Sequence, residues 1–339
     1  MNILVSSLEK KHFPVMLDEV IKTCNLSKKN QLVIDCTFGG GGYSEELLKF
    51  PNVKVIALDR DKSAIKRAAI LKTKFLDQFK FYNEKFSNLD KIINKETKPD
   101  IIIFDLGLST FQLQDYSRGF SFNATDKIDM QMGLTDISAE EVINTFDENN
   151  LRLILKILGE EQEANKIVKN IIKARQIKKI DTVIELVKII ELSKKKNYKK
   201  KINVCTKTFQ ALRIFVNKET SELIKGLIKA TQLIKTRGKI IIISFHSIED
   251  KIVKYYFTNY SSNKSNPSRY MPTQSNQTNS FFEKYKNNFL TASSEELIKN
   301  PASRSAKLRH AVRTDQLFTH PKEFKEKFRR YLDIENVTI

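Results

Sequence analysis

Continuous apolar runs, rather than alternating ones, mark the first half of this chain. Leu32-Val33-Ile34 leads into Asp35, Val53-Lys54-Val55-Ile56-Ala57-Leu58 into Asp59, and Ile101-Ile102-Ile103-Phe104 into Asp105. Apolar runs without polar alternation predict strands buried on both faces, as in a parallel sheet covered by helices. A shorter strand is expected near 79–82 and a late one over Lys239–Phe245. Helical spacing falls between them, over 14–25, 44–50, 62–75 and 208–234. This β-α-β-α order predicts an α/β fold with a parallel sheet.

The pattern changes after about residue 115. Ser138 with Glu141, and Thr182 with Glu185, form two capping-box signatures ahead of apolar residues. Residues 150–175 and 182–192 are helix-periodic. Residues 116–205 therefore read as an inserted helical domain, between a first part at 1–115 and a second part at 206–339. The run Lys194-Lys195-Lys196-Asn197-Tyr198-Lys199-Lys200-Lys201 closes the insert, either as a solvated loop or as a phosphate-contacting one. Residues 259–280, rich in Ser, Asn, Thr and Gln, read as a flexible surface loop.

The chemistry begins behind the first strand, at Asp35-Cys36-Thr37-Phe38-Gly39-Gly40-Gly41-Gly42-Tyr43-Ser44. Glycines there let a ligand approach the backbone, and the following helix aims free N–H groups at the turn. Asp59 stands 20 positions after Gly39, at the tip of the next strand, where an acid binds a ribose hydroxyl pair. The dinucleotide pattern G-x-G-x-x-G fails, because Ser44 or Glu45 stands at the third glycine, so an NAD-dependent oxidoreductase is disfavoured. A G-x-x-x-x-G-K-[ST] phosphate loop is absent. S-adenosylmethionine (SAM) carries a ribose but no phosphate, and it suits this set.

Charge adds a partner. The formal net charge is +19, a basic excess that favours nucleic acid, although lysine is abundant throughout. Cys24, Cys36 and Cys205 lie far apart with no metal spacing, and the four histidines form no H-x-x-x-H pair. No apolar stretch approaches 18 residues and the N-terminus lacks a signal-peptide pattern, so a soluble cytoplasmic protein without metal or membrane is expected.

Asp35, Asp59 and Asp105 are expected at three neighbouring strand tips around one crevice. Tyr116-Ser117-Arg118-Gly119-Phe120-Ser121-Phe122 offers aromatics and a cation suited to base stacking, or else a packed loop. His246, behind the late strand, reads as a general base or a structural residue. Arg304, Lys307 and Arg309 read as phosphate or pocket-rim contacts, or as a solvated tail.

Together these segments resemble the bacterial 16S ribosomal RNA (cytosine-N4)-methyltransferases, the MraW or RsmH family. The match runs from His12–Val20 through Asp35–Ser44, Leu58–Asp61, Asp105–Gln112, Arg118–Phe122, Ile128–Met132, Thr208–Ile214 and Ser244–Asp250 to Asn300–Arg309. The resemblance implies a class I (Rossmann-like) SAM-dependent methyltransferase fold with an inserted all-helical domain. It implies SAM contacts at Gly41, Gly42, Tyr43, Asp59, Phe86, Asp105 and Gln112. It implies 16S rRNA, or the assembled small ribosomal subunit, as partner. The candidate acceptor for a cytosine amine proton is Asp105, as catalytic residue, or else the backbone carbonyls at Gly107–Ser109, with Asp105 then serving SAM alone. The chain departs from the family at Tyr43 (usually His), at Thr110-Phe111 (usually Ser-Pro) and at Lys207 (usually Arg). The competing class is an RNA-binding assembly factor that binds SAM without catalysis.

Overall fold

A computed structural model describes residues 14–27, 29–94, 96–194, 203–262 and 280–338. Six strands form one sheet: β1 (Gln31–Asp35), β2 (Val53–Leu58), β3 (Phe79–Tyr82), β4 (Ile101–Asp105), β5 (Lys239–Ser244) and β6 (Lys307–Val312). Their order is β3-β2-β1-β4-β5-β6. The first five are parallel, and β6 runs antiparallel to β5. The chain reverses direction across the sheet between β1 and β4. Open α/β sheets bind ligands at such a switch point, beyond the strands' carboxyl ends.

The apolar runs are continuous because both faces are covered. Ile101 and Ile103 of β4 pack into one core with the helices Leu17–Cys24, Gly42–Leu48 and Ala64–Lys74. Ile102 and Phe104 point the other way. There the core runs without a break into the helices Ala139–Thr145, Glu148–Leu158, Ala164–Ile177 and Val183–Ser193. Phe146 meets Phe215 edge-on, with ring centroids 5.3 Å apart, where these helices dock on Thr206–Asn217. Among the described residues of 106–238, the extended pairing is a single bridge, Lys127 to Thr182.

Thr182 and Glu185 make a full capping box; at Ser138 the side chain accepts from Glu141 N, which is one half of one. The stretch 208–234 differs from expectation. It is two helices, Thr206–Asn217 and Glu219–Leu233, broken at Lys218, which takes a left-handed φ of 50°. Both helices bury apolar residues in the same core, so the apolar pattern continues across the break and hides the turn.

The polar stretch 307–312 is a strand and not a tail. Arg309 is buried, its Nε 2.7 Å from Asp250 Oδ1 and its Nη1 3.0 Å from the Tyr285 hydroxyl. Lys307 pairs with the other Asp250 oxygen at 2.9 Å. These two cations hold the edge strand, which corrects their reading as phosphate contacts. Lys194 is also internal, 2.5 Å from Glu161. The rest of the lysine run, most of the 259–280 loop, and His12-Phe13 lie outside the described residues.

Candidate functional site

A cavity of about 330 Å³ opens at the switch point. Its first wall is the turn after β1. Gly41 sits at φ 81°, and a Cβ there would come 2.6 Å from the Phe38 ring. Glycine is therefore required by both backbone and space. The helix Gly42–Leu48 starts directly behind it. Tyr43 lines the cavity, with its phenol beside the Asp105 carboxyl and donating to the Val15 carbonyl.

Asp59 ends β2 at the cavity edge. Its Oδ2 accepts from Gly39 N at 2.7 Å and its Oδ1 from Asp61 N at 2.8 Å. These bonds tie the glycine turn to the acid and leave lone pairs for a ligand. Burial pushes its pKa up. Phe86 lines the cavity behind β3 and packs edge-on against Phe104, with centroids 5.2 Å apart. It lies against Gly226, where a Cβ would come 2.5 Å from the ring.

Asp105 ends β4. Its backbone N–H donates to Thr37 Oγ1 at 2.7 Å. Its Oδ1 is fully buried with no hydrogen-bond partner among the described residues. Burial first, then repulsion from Asp35 and Glu249, pushes its pKa well above the carboxylate range, and the Tyr43 phenol works against this. An orphaned buried carboxyl is costly unless a ligand answers it.

Gln112 borders the cavity, but its amide is engaged at both ends. Oε1 accepts from Ser109 N at 2.9 Å, closing a capping box, and Nε2 donates to Asp61 Oδ2 at 2.9 Å. Arg118 donates to the same Asp61 oxygen and to the Gln131 carbonyl. Its proposed stacking role is thus corrected, since the guanidinium is a brace. Asp35 is corrected as well. It is fully buried, accepts from Ser44 Oγ at 2.7 Å, and does not line the cavity. Burial pushes its pKa up to about 6. Its side chain faces the helix packed on β1, while the ligand side is left to Asp59 and Asp105.

The far wall was not legible. Arg213, Glu219, Glu222 and Glu249 line it together with Phe245, Asn300 and Ala302. The break at Lys218 folds Glu219 back on Arg213, giving Nε–Oε1 2.8 Å and Nη2–Oε2 2.9 Å. Glu222 accepts from Ser87 N at 2.8 Å and so fixes the segment bearing Phe86. Glu249 Oε2 accepts from Phe245 N at 2.9 Å. Burial opposes the Glu249 charge, yet His246 and Arg213 outweigh it and hold the carboxyl below its usual range. His246 caps the helix Ser247–Asn259, with Nδ1 accepting from Glu249 N at 3.5 Å and Nε2 3.1 Å from Glu249 Oε1, and it does not line the cavity. Burial opposes the Arg213 charge too, but Glu219 and Glu249 keep the guanidinium firmly protonated. Three segments far apart in sequence had to meet before this wall existed.

Asp59, Asp105, Glu219, Glu222 and Glu249 all border one cavity. That donor set suits a cationic ligand, as SAM is at its sulfonium and amino groups. No helix among the described residues is long and apolar enough to cross a membrane.

A profile of the MraW methylase family matches residues 9–314. Ribosomal RNA small subunit methyltransferase H of Bartonella bacilliformis is 40% identical over 305 residues, covering 90% of each chain. The protein of that name from Orientia tsutsugamushi (strain Ikeda) is 38% identical over 309 residues, covering 90% of this chain and 99% of its own. A crystal structure of a putative rRNA-methylase from Clostridium thermocellum aligns at TM-score 0.41 and 12% identity, covering 89% of this chain and 98% of the other, a likeness too weak to define a fold. With a family match over most of its length and relatives near 40% identity, this chain belongs to the MraW methylase family.

Proposed function

We propose that this protein transfers a methyl group from SAM to the exocyclic N4 of a cytidine in small-subunit (16S) ribosomal RNA. One observation carries the reading. In a chain of the MraW methylase family, one cavity is bordered by Asp59 beside the glycine turn and by Asp105, whose buried Oδ1 has no hydrogen-bond partner among the described residues.

Bound SAM supplies an electrophilic methyl group on a sulfonium. The backbone at Gly41, Gly42 and Tyr43 gives the cofactor's tail close approach, Asp59 accepts from the ribose hydroxyls, and Phe86 packs against the adenine. Gln112 holds Asp61 and Ser109 in place below them. A cytosine amine is a weak nucleophile because its lone pair is shared with the ring. Asp105 would accept a hydrogen bond from N4, which localises the lone pair. It would take the N4 proton as the methyl's bond to sulfur breaks and its bond to N4 forms, leaving the neutral thioether and a neutral methylated amine. The carboxylate is the stronger acceptor, and a positive ligand charge beside Asp105 would lower its raised pKa and favour that form. Positioning of amine and methyl supplies much of the rate. The base has to be unpaired or flipped to enter.

The basic excess of the chain favours the RNA partner, and the helical segment 116–205 is its proposed recognition domain. Mass spectrometry of 16S rRNA from cells with and without this protein tests the function. An N4-methylcytidine that disappears with the protein is expected. An unchanged modification profile, with SAM still bound by the purified protein, would leave a SAM-binding assembly factor instead.

A further inference from the structure

Arg213 is the one cavity-lining guanidinium clamped on a carboxylate from its Nε edge: Nε and Nη2 both go to Glu219, at 2.8 and 2.9 Å. A guanidinium held on that edge is fixed in plane and orientation. Its Nη1 makes no hydrogen bond among the described residues. It is not one of the fully buried unpaired atoms, and Arg213 lines the cavity. The cavity's other arginine, Arg60, is committed to the carbonyls of Gly133 and Asn217.

We infer that Arg213 Nη1 donates to the N3/O2 acceptor edge of the target cytosine and selects that base by it. The inference rests on the methyl-transfer function above. Three features point to a neutral base rather than an anion. First, six acids border the cavity against three cations, Arg60, Lys85 and Arg213, so a phosphate or carboxylate would meet an excess of acids. Second, Phe245, Leu108 and Leu223 supply apolar wall for a planar ring. Third, Asp105 and Arg213 line the same cavity, so an acid and a donor border one space.

Cytosine carries its N4 amine, N3 and O2 along one edge. Asp105 accepts a hydrogen bond from the amine end, and Arg213 donates one to the acceptor end. Uracil has an N–H at N3 and an oxygen at C4, so it would oppose donor to donor and acceptor to acceptor. Mispaired buried polar groups discriminate more strongly than missing contacts do.

The test uses small ribosomal subunits reconstituted with cytidine or 3-deazacytidine at the methylated position. The analogue keeps the amine and replaces N3 by C–H. Single-turnover rates are measured for the natural protein and for Arg213→Lys and Arg213→Gln. Lysine keeps a charge opposite Glu219, so a folding failure of the glutamine variant does not end the experiment. The natural protein should lose about 10- to 100-fold on the analogue, as expected for a charge-assisted hydrogen bond. Both variants should be slow on cytidine and show a much smaller analogue penalty, with SAM affinity unchanged. The analogue's intrinsic reactivity cancels in this ratio. An unchanged penalty in the variants, or a loss confined to SAM affinity, overturns the assignment. If the natural protein fails on cytidine itself, the function fails and not the Arg213 role alone.

Discussion

At the glycine-turn end of the cavity, Gly41, Tyr43 and Asp59 follow directly from the strand tips of β1 and β2. At the opposite end, Arg213, Glu219 and Glu249 come from three helices and meet only in the folded chain. The first end is a local device: a buried strand, a turn that excludes Cβ atoms, and an acid on the next strand. The second is a tertiary device, in which a helix break at Lys218 and a capping carboxylate at Glu249 bring charges together. Local devices suit a cofactor that many folds bind in the same way. A tertiary device suits a substrate particular to this family.

Removing the Asp59 carboxylate should have a large effect confined to the cofactor end. Asp59→Ala should weaken SAM binding about 10- to 100-fold, from lost charge-assisted hydrogen bonds of about 1.5–3 kcal/mol each. Calorimetry checks this, and unchanged affinity in a folded variant would remove Asp59 from the site. Gly226→Ala acts on the same end from behind. Replacing a helical glycine by alanine usually gains about 1 kcal/mol, but here the Cβ would come 2.5 Å from the Phe86 ring. The clash should win, with a net loss of about 1–3 kcal/mol in unfolding free energy and weaker SAM binding. A more stable variant with normal binding would show that Phe86 moves aside freely.

The ends should also differ in pH response. Asp105 has a raised pKa in the free protein, and a cationic ligand prefers its carboxylate form. SAM affinity should therefore fall as pH drops through that raised value, because binding then costs a deprotonation. Asp105→Asn should flatten the profile; a profile that keeps its slope in this variant would assign the titration elsewhere. A related sign holds for stability. Burial raises Glu335 to about 7, while it accepts from Thr220 N and Ser221 N at 2.8 Å. Its folded pKa exceeds the unfolded one, so the folded state holds the extra proton between about 4.3 and 7. Its contribution to stability falls as pH rises through that window. Thermal denaturation at pH 5.5 and 7.5 should show a shallower fall for Glu335→Gln than for the natural chain.

The smallest expected effect concerns Lys199, Lys200 and Lys201, which lie outside the described residues. Neutralising all three should reduce the salt slope of RNA binding by about 2–3 and leave SAM affinity unchanged. An unaltered slope would make the run a solvated loop.

The sheet was legible because burial on both faces forces continuous apolar runs, and β1 to β5 begin and end within a residue or so of the sequence expectation. β6 was not, because Lys307 and Arg309 are polar for a reason outside the strand, their pairing with Asp250. The helix break at Lys218 was hidden by unbroken periodicity. Among the strand-tip acids, Asp59 and Asp105 face the cavity, whereas Asp35 turns to Ser44. Sequence places all three alike; the direction of a side chain at a strand tip depends on what packs beside it. His246, read as a general base or a structural residue, caps a helix, and Glu249 three residues on lines the cavity.

The most direct test of a two-ended cavity is single-turnover methyl transfer to small-subunit rRNA, measured at saturating SAM for Asp59→Ala and Asp105→Asn side by side. The cofactor end should be rescued by concentration, so Asp59→Ala should approach the natural rate. Asp105→Asn should stay at least about 10-fold slow, because an interaction made only in the transition state is lost from kcat. Equal rescue of both variants would contradict the account and reduce Asp105 to a second cofactor contact.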